Sequence, residues 1–208
     1  MTHQLRIRLR DVTPTVVREI VAPSGLRLDQ LHDAIQIAMG WTDSHLHQFV
    51  AGADLGSGAR YGPPDPEFGG ADNERKITLQ QIAPAEGARL IYLYDFGDDW
   101  IHDLTVTAVS PPDHAGDALK CLAGSGACPP EDCGGPWRYR ELLDVMAQPS
   151  HPEHADTFEW FGGEWDANRF DIAAVNRQLS NLHAFWERMA RAGKSALGKR
   201  RSIDSRKP

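Results

Sequence analysis

Apolar and charged residues alternate at the start of the chain. Leu5, Ile7 and Leu9 are separated by arginines, and a second apolar run at residues 16–21 follows Pro14. Alternation with a period of two is typical of a strand that buries one face. The pattern therefore predicts two strands paired as a hairpin.

Helical spacing replaces this alternation from Leu28 to Met39, and Gly40 provides a stop for the predicted first helix. Further strands are predicted at residues 45–50, 89–95 and 100–109, a helical turn at 78–83, and helices at 136–147, 153–161 and from Asp171 onward. Residues 52–76 and 110–136 are rich in glycine and proline, and we expect loops there.

The order of these elements predicts the fold class. Strands come mostly first and helices mostly last, which favours an α+β fold: a largely antiparallel sheet with helices packed on one face. We expect a single domain over residues 1–192, followed by a basic, disordered tail at 193–208.

Composition places the chain among ordinary globular proteins, because 41% of its 208 residues are hydrophobic and 25% are charged. No apolar stretch reaches the roughly 18 residues that span a bilayer, and we expect no signal peptide, because residues 1–10 alternate charged with apolar residues. Three cysteines cannot all pair within one chain. We therefore expect a cytoplasmic protein, without membrane contact, whose thiols are free or bound to metal.

Charge is distributed unevenly along the chain. From Arg188 onward there are eight basic residues and one acid, Asp204, so this segment carries +7, while the rest of the chain carries −14 and the total is −7. An acidic body repels polyanions, which argues against a nucleic-acid groove there. The basic segment is either a solvated terminus or a contact for nucleic acid.

A first candidate metal site combines one imidazole with three thiols: His102, Cys121, Cys128 and Cys133. This set matches the ligand count of a closed tetrahedral zinc site, so zinc is a possible cofactor. The spacing between the cysteines is longer than in common zinc motifs. The alternative is a buried histidine and buried free cysteines in the core.

A second candidate metal site is built around histidines. If His45 and His47 lie on one strand, they project from the same face, and His32 or Asp43 completes an open site of the hydrolytic kind. The alternative is that these imidazoles face solvent or hold the turn between helix and strand.

Carboxylates are concentrated in two predicted loops, at Asp95, Asp98 and Asp99 and at Glu131 and Asp132. Such groups bind a divalent cation or form an acid and base pair, but aspartates also stabilise turns. The sequence contains no phosphate loop, dinucleotide fingerprint or nucleophile elbow.

Several motifs in order resemble a known family. Tyr-Asp-Phe-Gly-Asp at residues 94–98 and Pro-Pro-Glu-Asp at 129–132 are the most specific, and residues 14–18, 28–32 and 45–49 support them. Together they resemble the plasmid pRiA4b Orf-3-like family, also described as the TnpR passenger family of a mobile element. The resemblance extends from the first strand to about Leu182 and excludes the basic tail.

The resemblance implies a compact α+β domain found in bacteria and archaea and associated with plasmids and transposable elements. It implies no established activity. Its motifs coincide with the residues selected above, which suggests one shared cleft with Trp41 or Trp137 on its floor. The predicted ligand-binding residues are Asp95, Asp98, Trp100, Glu131, Asp132 and Trp41.

Three functions are compatible with these residues. The sequence favours a non-catalytic binding or accessory module, because no nucleophile and base pair is recognisable. The second is a metal-dependent hydrolase that uses His32, His45 and His47 or the loop carboxylates. The third is a DNA-associated recombination accessory protein that acts through the basic tail.

Overall fold

The computed structural model describes residues 1–64, 71–111 and 119–204, with side chains described as far as residue 191. The strands are β1 (Thr2–Leu9), β2 (Val17–Pro23), β3 (His47–Ala51), β4 (Arg60–Gly62), β5 (Asp72–Asn73), β6 (Arg89–Tyr94), β7 (Trp100–Ser110) and β8 (Lys120–Ser125). The helices are α1 (Leu28–Met39), α2 (Leu79–Ile82), α3 (Gly135–Met146), α4 (His154–Trp160) and α5 (Ile172–Asp204), with a 3₁₀ helix at Glu74–Lys76.

One sheet contains all eight strands in the order β5-β4-β3-β6-β7-β1-β2-β8. Its neighbouring strands are antiparallel except for β4 and β5, which are parallel. The predicted α+β class with a largely antiparallel sheet is therefore confirmed. The predicted hairpin is the β1–β2 pair, and Leu5 lies opposite Ile20 in it.

The two faces of the sheet differ in burial. Leu5, Ile7 and Leu9 of β1 are fully buried in the core, whereas Arg6 and Arg8 between them are exposed. Apolar residues of α1 and α5 pack into the same core. The alternation read from the sequence thus separates a covered face from an open one.

Some element boundaries differ from the prediction. The strand predicted at residues 45–50 begins only at His47, and the loop predicted at 52–76 contains β4, β5 and the 3₁₀ helix. β8 lies inside the loop predicted at 110–136, where the sequence Lys-Cys-Leu-Ala-Gly-Ser has no β-branched residue. This strand forms because β2 offers it an edge to pair with, which local propensity does not show.

Helix α5 begins as predicted, since the Asp171 carboxylate accepts a hydrogen bond from the Ala174 amide at 2.8 Å. Its backbone stays helical to Asp204, whereas the sequence predicted disorder from residue 193. Residues 205–208 lie outside the described part of the chain. Among the helices described, none is long and apolar enough to cross a membrane.

Candidate functional site

Two histidines from different elements stack on each other next to the sheet. His32 lies on the buried face of α1, and His47 is the first residue of β3. Their ring centroids are 3.5 Å apart and the ring planes differ by 8°. The side chains are 5% and 8% exposed, so both imidazoles are largely removed from water.

Each imidazole is hydrogen-bonded to its own carboxylate. His32 Nε2 lies 2.8 Å from Asp43 Oδ1, and His47 Nε2 lies 2.8 Å from Glu74 Oε2. Asp43 comes from the α1–β3 loop, and Glu74 begins the 3₁₀ helix. Glu74 is almost fully buried, whereas 58% of the Asp43 side chain is exposed. The histidine pair therefore has a buried side at Glu74 and a side open to solvent at Asp43.

A chain of hydrogen bonds fixes the orientation of His32. Gln36 Nε2 donates to the Tyr92 hydroxyl at 2.9 Å, and that oxygen lies 2.8 Å from His32 Nδ1. Because a carboxylate only accepts, His32 Nε2 carries the proton shared with Asp43, and Nδ1 accepts from Tyr92. The Gln36 amide oxygen accepts from the Asp43 backbone amide, which closes the network.

Burial changes the acid–base behaviour of this region. Removal from water, together with the neighbouring His47 ring, lowers the pKa of His32 to about 4. Burial also raises the pKa of Asp33, one helix position further along α1, to about 6. At neutral pH the His32 ring is therefore uncharged, which is the form that binds metal ions.

The donor atoms of His32, Asp43 and His47 all lie within 4.8 Å of one another. Two imidazole nitrogens and a carboxylate oxygen at this separation suit a transition metal such as zinc. A cavity of about 360 Å³ opens beside them. Its lining consists of Asp29, His32, Asp33, Asp43, His45, Leu46, His47, Pro63, Glu74 and Arg75.

His45 belongs to a different group, contrary to the prediction that it shares a metal with His47. Because β3 starts at His47, His45 precedes the strand and does not follow its alternation. Its Nε2 lies 3.1 Å from Asp132 Oδ1 and 3.7 Å from Asp95 Oδ2. His45 thus connects the β6–β7 turn with the Pro-Pro-Glu-Asp loop.

The two acid-bearing loops do lie side by side. The Gly134 amide donates to Asp98 Oδ2 at 3.0 Å, and the Glu131 carboxylate accepts from the Tyr94 hydroxyl at 2.8 Å. Glu131 also accepts from the backbone amide and hydroxyl of Thr42 at 2.8 and 2.9 Å. Burial opposes ionisation of Glu131, but these hydrogen bonds hold its pKa below the usual value.

The aromatic residues predicted for the cleft do not line one. Trp41 is buried, stacks on Tyr94 and donates its indole N–H to the Pro129 carbonyl at 2.9 Å. Trp100 is fully buried, and Trp137 is 81% exposed. Trp41 therefore fixes the Pro-Pro-Glu-Asp loop to the core, and Trp100 is a core residue.

The cysteine–histidine zinc ligands are not brought together. Across the described ranges, two groups have three or more donor atoms within 4.8 Å, and neither contains a cysteine or His102. The Cys121 thiol donates to the Ala123 carbonyl at 3.3 Å, and burial raises the pKa of Cys133 to about 12. Burial raises the pKa of all three thiols, as is typical of cysteines packed in a core.

Two residues of the site have no counterpart in the sequence predictions. Glu74 lies in the segment predicted as a loop, and Tyr92 was placed on a strand without a role. Alternation along β6 does put Tyr92 and Tyr94 on one face, which is a detectable signal. Glu74 carries no such signal in the sequence, because only the tertiary fold brings it to His47.

Comparison with known proteins gives a consistent picture. The family model for plasmid pRiA4b ORF-3-like proteins matches residues 1–174. The uncharacterized protein y4hQ of Sinorhizobium fredii (strain NBRC 101917 / NGR234) is 39% identical over 191 residues, which cover 90% of this chain and 95% of that protein. A crystal structure of the protein of unknown function MM3350 from Methanosarcina mazei Go1 superposes with a TM-score of 0.75 at 31% identity, covering 84% of this chain and 97% of that one.

Proposed function

The chain belongs to the plasmid pRiA4b ORF-3-like family, and we propose that it is a metal-dependent hydrolase whose metal ligands are His32, His47 and Asp43. The observation that carries the proposal is the convergence of these three donors within 4.8 Å beside an open cavity. This assignment replaces the non-catalytic module that the sequence favoured. It keeps two of the three histidines of the sequence's hydrolase alternative.

The hydrogen bonds described above have the form expected of a metal site in its protonated state. The proton between His32 and Asp43 occupies the position at which both atoms would bind a cation. For Nε2 to bind a cation, this proton would move to Nδ1, which would then donate to the Tyr92 oxygen. Tyr92 and Gln36 then orient the ligand ring, as outer partners commonly do in metal sites.

Asp43 and Glu74 have different roles in this assignment. Asp43 is the exposed ligand and marks the side on which substrate and water enter. Glu74 is buried and hydrogen-bonded to His47 Nε2, so it would orient that ring and leave Nδ1 to bind a cation. A bound divalent ion would supply Lewis acidity and would lower the pKa of water toward neutrality.

The charge of the cavity restricts the substrate. Its lining includes four carboxylates, those of Asp29, Asp33, Asp43 and Glu74, and one arginine, Arg75. An acidic cleft repels phosphate groups and attracts neutral or cationic molecules. We therefore expect esters or amides, rather than phosphate esters, to be the substrates.

The proposal predicts metal-dependent turnover. Protein purified without a histidine tag should contain about one equivalent of zinc or a similar ion, measured by mass spectrometry. It should hydrolyse p-nitrophenyl acetate or a dansylated peptide faster than it hydrolyses bis-p-nitrophenyl phosphate. The activity should fall at least 100-fold in Asp43→Asn, since the amide lacks the charge of the ligand.

Asp99→Asn is the matched control, because Asp99 lies in the β6–β7 turn and belongs to neither donor group. It should keep both metal and activity. Protein without metal overturns the whole proposal. Protein that binds one equivalent through the histidines but turns over none of the probes overturns hydrolysis and favours the binding module.

A further inference from the structure

The open face of the sheet carries a cluster of arginines in a chain whose overall charge is negative. Arg6 and Arg8 of β1 point away from the core, because Leu5, Ile7 and Leu9 point into it. Arg6 and Arg89 both lie opposite Thr105 of β7. Directly paired residues share a face of the sheet, so these side chains form one row.

A second row of paired residues lies two positions further along the strands. Arg8 lies opposite Asp103 of β7, whose carboxylate accepts from Arg10 at 3.0 and 2.6 Å. The Arg89 guanidinium is 3.9 Å from the same carboxylate. The Arg10 hydrogen bonds, together with Arg10, Arg89 and Arg8 charges, lower the pKa of Asp103. We call this surface the arginine face; its members are Arg6, Arg8, Arg10, Arg89, Asp103 and Thr105.

Positive charge exceeds negative charge on the arginine face. Asp103 is engaged mainly by Arg10, and among the described residues the acids beside the face are Glu19 of β2, opposite Arg6, and Asp11, next to Arg10. In the described parts of the chain, neither Arg6 nor Arg8 has a carboxylate within 4.0 Å. Their guanidinium groups are therefore available to an anionic partner.

This arrangement corrects an inference from the total charge. The charge of the sequence argued against a nucleic-acid groove on the acidic body, but the carboxylates of Asp29, Asp33 and Glu74 line the cavity beside α1. The arginine face lies on the opposite side of the sheet from α1. Acidic and basic surfaces are thus separated, and a polyanion can approach one without facing the other.

We propose that the arginine face binds the phosphate backbone of double-stranded nucleic acid. Residues two apart on a strand are about 7 Å apart, and Arg6 and Arg89 are separated by two strand spacings, about 10 Å. Guanidinium groups at these distances can each bind a different phosphate in bidentate fashion. The Thr105 hydroxyl between them offers a further hydrogen bond.

A duplex suits this face better than a single strand. Single strands are held largely by bases stacked on exposed aromatic rings. The partly exposed positions of β2 and β6 on this face of the sheet are aliphatic, namely Val17, Val21 and Leu93, and Ile91 between them is buried. Backbone contacts without stacking predict weak, strongly salt-dependent binding with little sequence preference.

The test measures binding of a fluorescent 20-base-pair DNA duplex by anisotropy between 50 and 200 mM KCl. With three to four phosphate contacts, the slope of log Kd against log salt should be about 3. The double variant R6Q/R8Q should raise Kd at least tenfold and lower the slope by about 2. R89Q, a milder change, should lower the slope by about 1.

Two double variants separate the arginine face from other basic residues. R138Q/R140Q on α3 and R188Q/R191Q on α5 should leave both Kd and slope unchanged. Circular dichroism checks that each variant is folded. If R6Q/R8Q is not folded, the single variant R89Q replaces it in the binding comparison. Loss of binding in R188Q/R191Q assigns the contact to the basic segment and overturns the proposal. Absence of duplex binding, or self-association that R6Q/R8Q abolishes, overturns it as well.

Discussion

Replacement of His47 by alanine is expected to abolish metal binding and to lower the free energy of unfolding by about 3 kcal/mol. The change removes one of three metal ligands and leaves the buried Glu74 carboxylate without its partner at 2.8 Å. It also removes the ring stacked on His32. Chemical denaturation and metal analysis of the same preparation measure both effects.

His47→Gln is the matched variant, because its amide can still donate to Glu74 but is a poor metal ligand. It should lose the metal while losing much less stability than His47→Ala. Metal retained by both variants would show that His47 is not a ligand. Equal destabilisation of the two would show that the Glu74 hydrogen bond contributes little.

Acidification is expected to destabilise the protein through His102, a residue that lies apart from the proposed metal ligands. Burial lowers its pKa from 6.5 to about 4. Its Nδ1 lies 3.2 Å from the Tyr92 and Trp100 carbonyls, while Nε2 is buried and has no hydrogen-bond partner among the residues that the structure describes. Between pH 6.5 and pH 4 the unfolded chain therefore binds a proton that the folded chain excludes.

The sign of this effect follows from the depressed pKa. The contribution of His102 to stability is complete above pH 6.5 and is lost progressively as the pH falls toward 4, by roughly 3 kcal/mol. Urea unfolding at a series of pH values measures the loss. His102→Phe should be somewhat less stable at pH 7 but should lose about 3 kcal/mol less on acidification. An identical pH dependence in both proteins would contradict the assignment.

The fold was predictable where local pattern and tertiary environment agree. Alternation in β1 and helical spacing in α1 reflect one-sided burial, and both elements have the predicted type. β8 was missed because its stability comes from pairing with β2 and from hydrogen bonds between Asn176 and the Cys121 backbone. Such long-range partners leave no periodic signal in the strand itself.

The site was predictable only in part, for a related reason. His32, His47 and Asp43 could be selected because metal-binding residue types lie close together in the sequence. The sequence placed His45 and His47 in one site because it predicted a strand from residue 45, but β3 begins at His47 and His45 belongs to another group. Glu74 could not be selected, because the fold brings it to His47 from 27 residues away.

The cysteine–histidine prediction shows the limit of counting ligand types. His102 alternates with core residues on β7, and it is fully buried there. Cys128 packs near the Arg18 guanidinium, and burial raises its pKa well above the usual value. Residue types suited to zinc are also residues suited to a core, and only their mutual distances distinguish the two.

Anomalous X-ray diffraction at the zinc edge, on crystals of protein purified without a tag or chelator, tests the central claim most directly. We predict one peak about 2 Å from His32 Nε2 and His47 Nδ1, with Asp43 as the third ligand. A peak among Cys121, Cys128 and Cys133, or no peak beside the histidines after soaking with zinc, would contradict it.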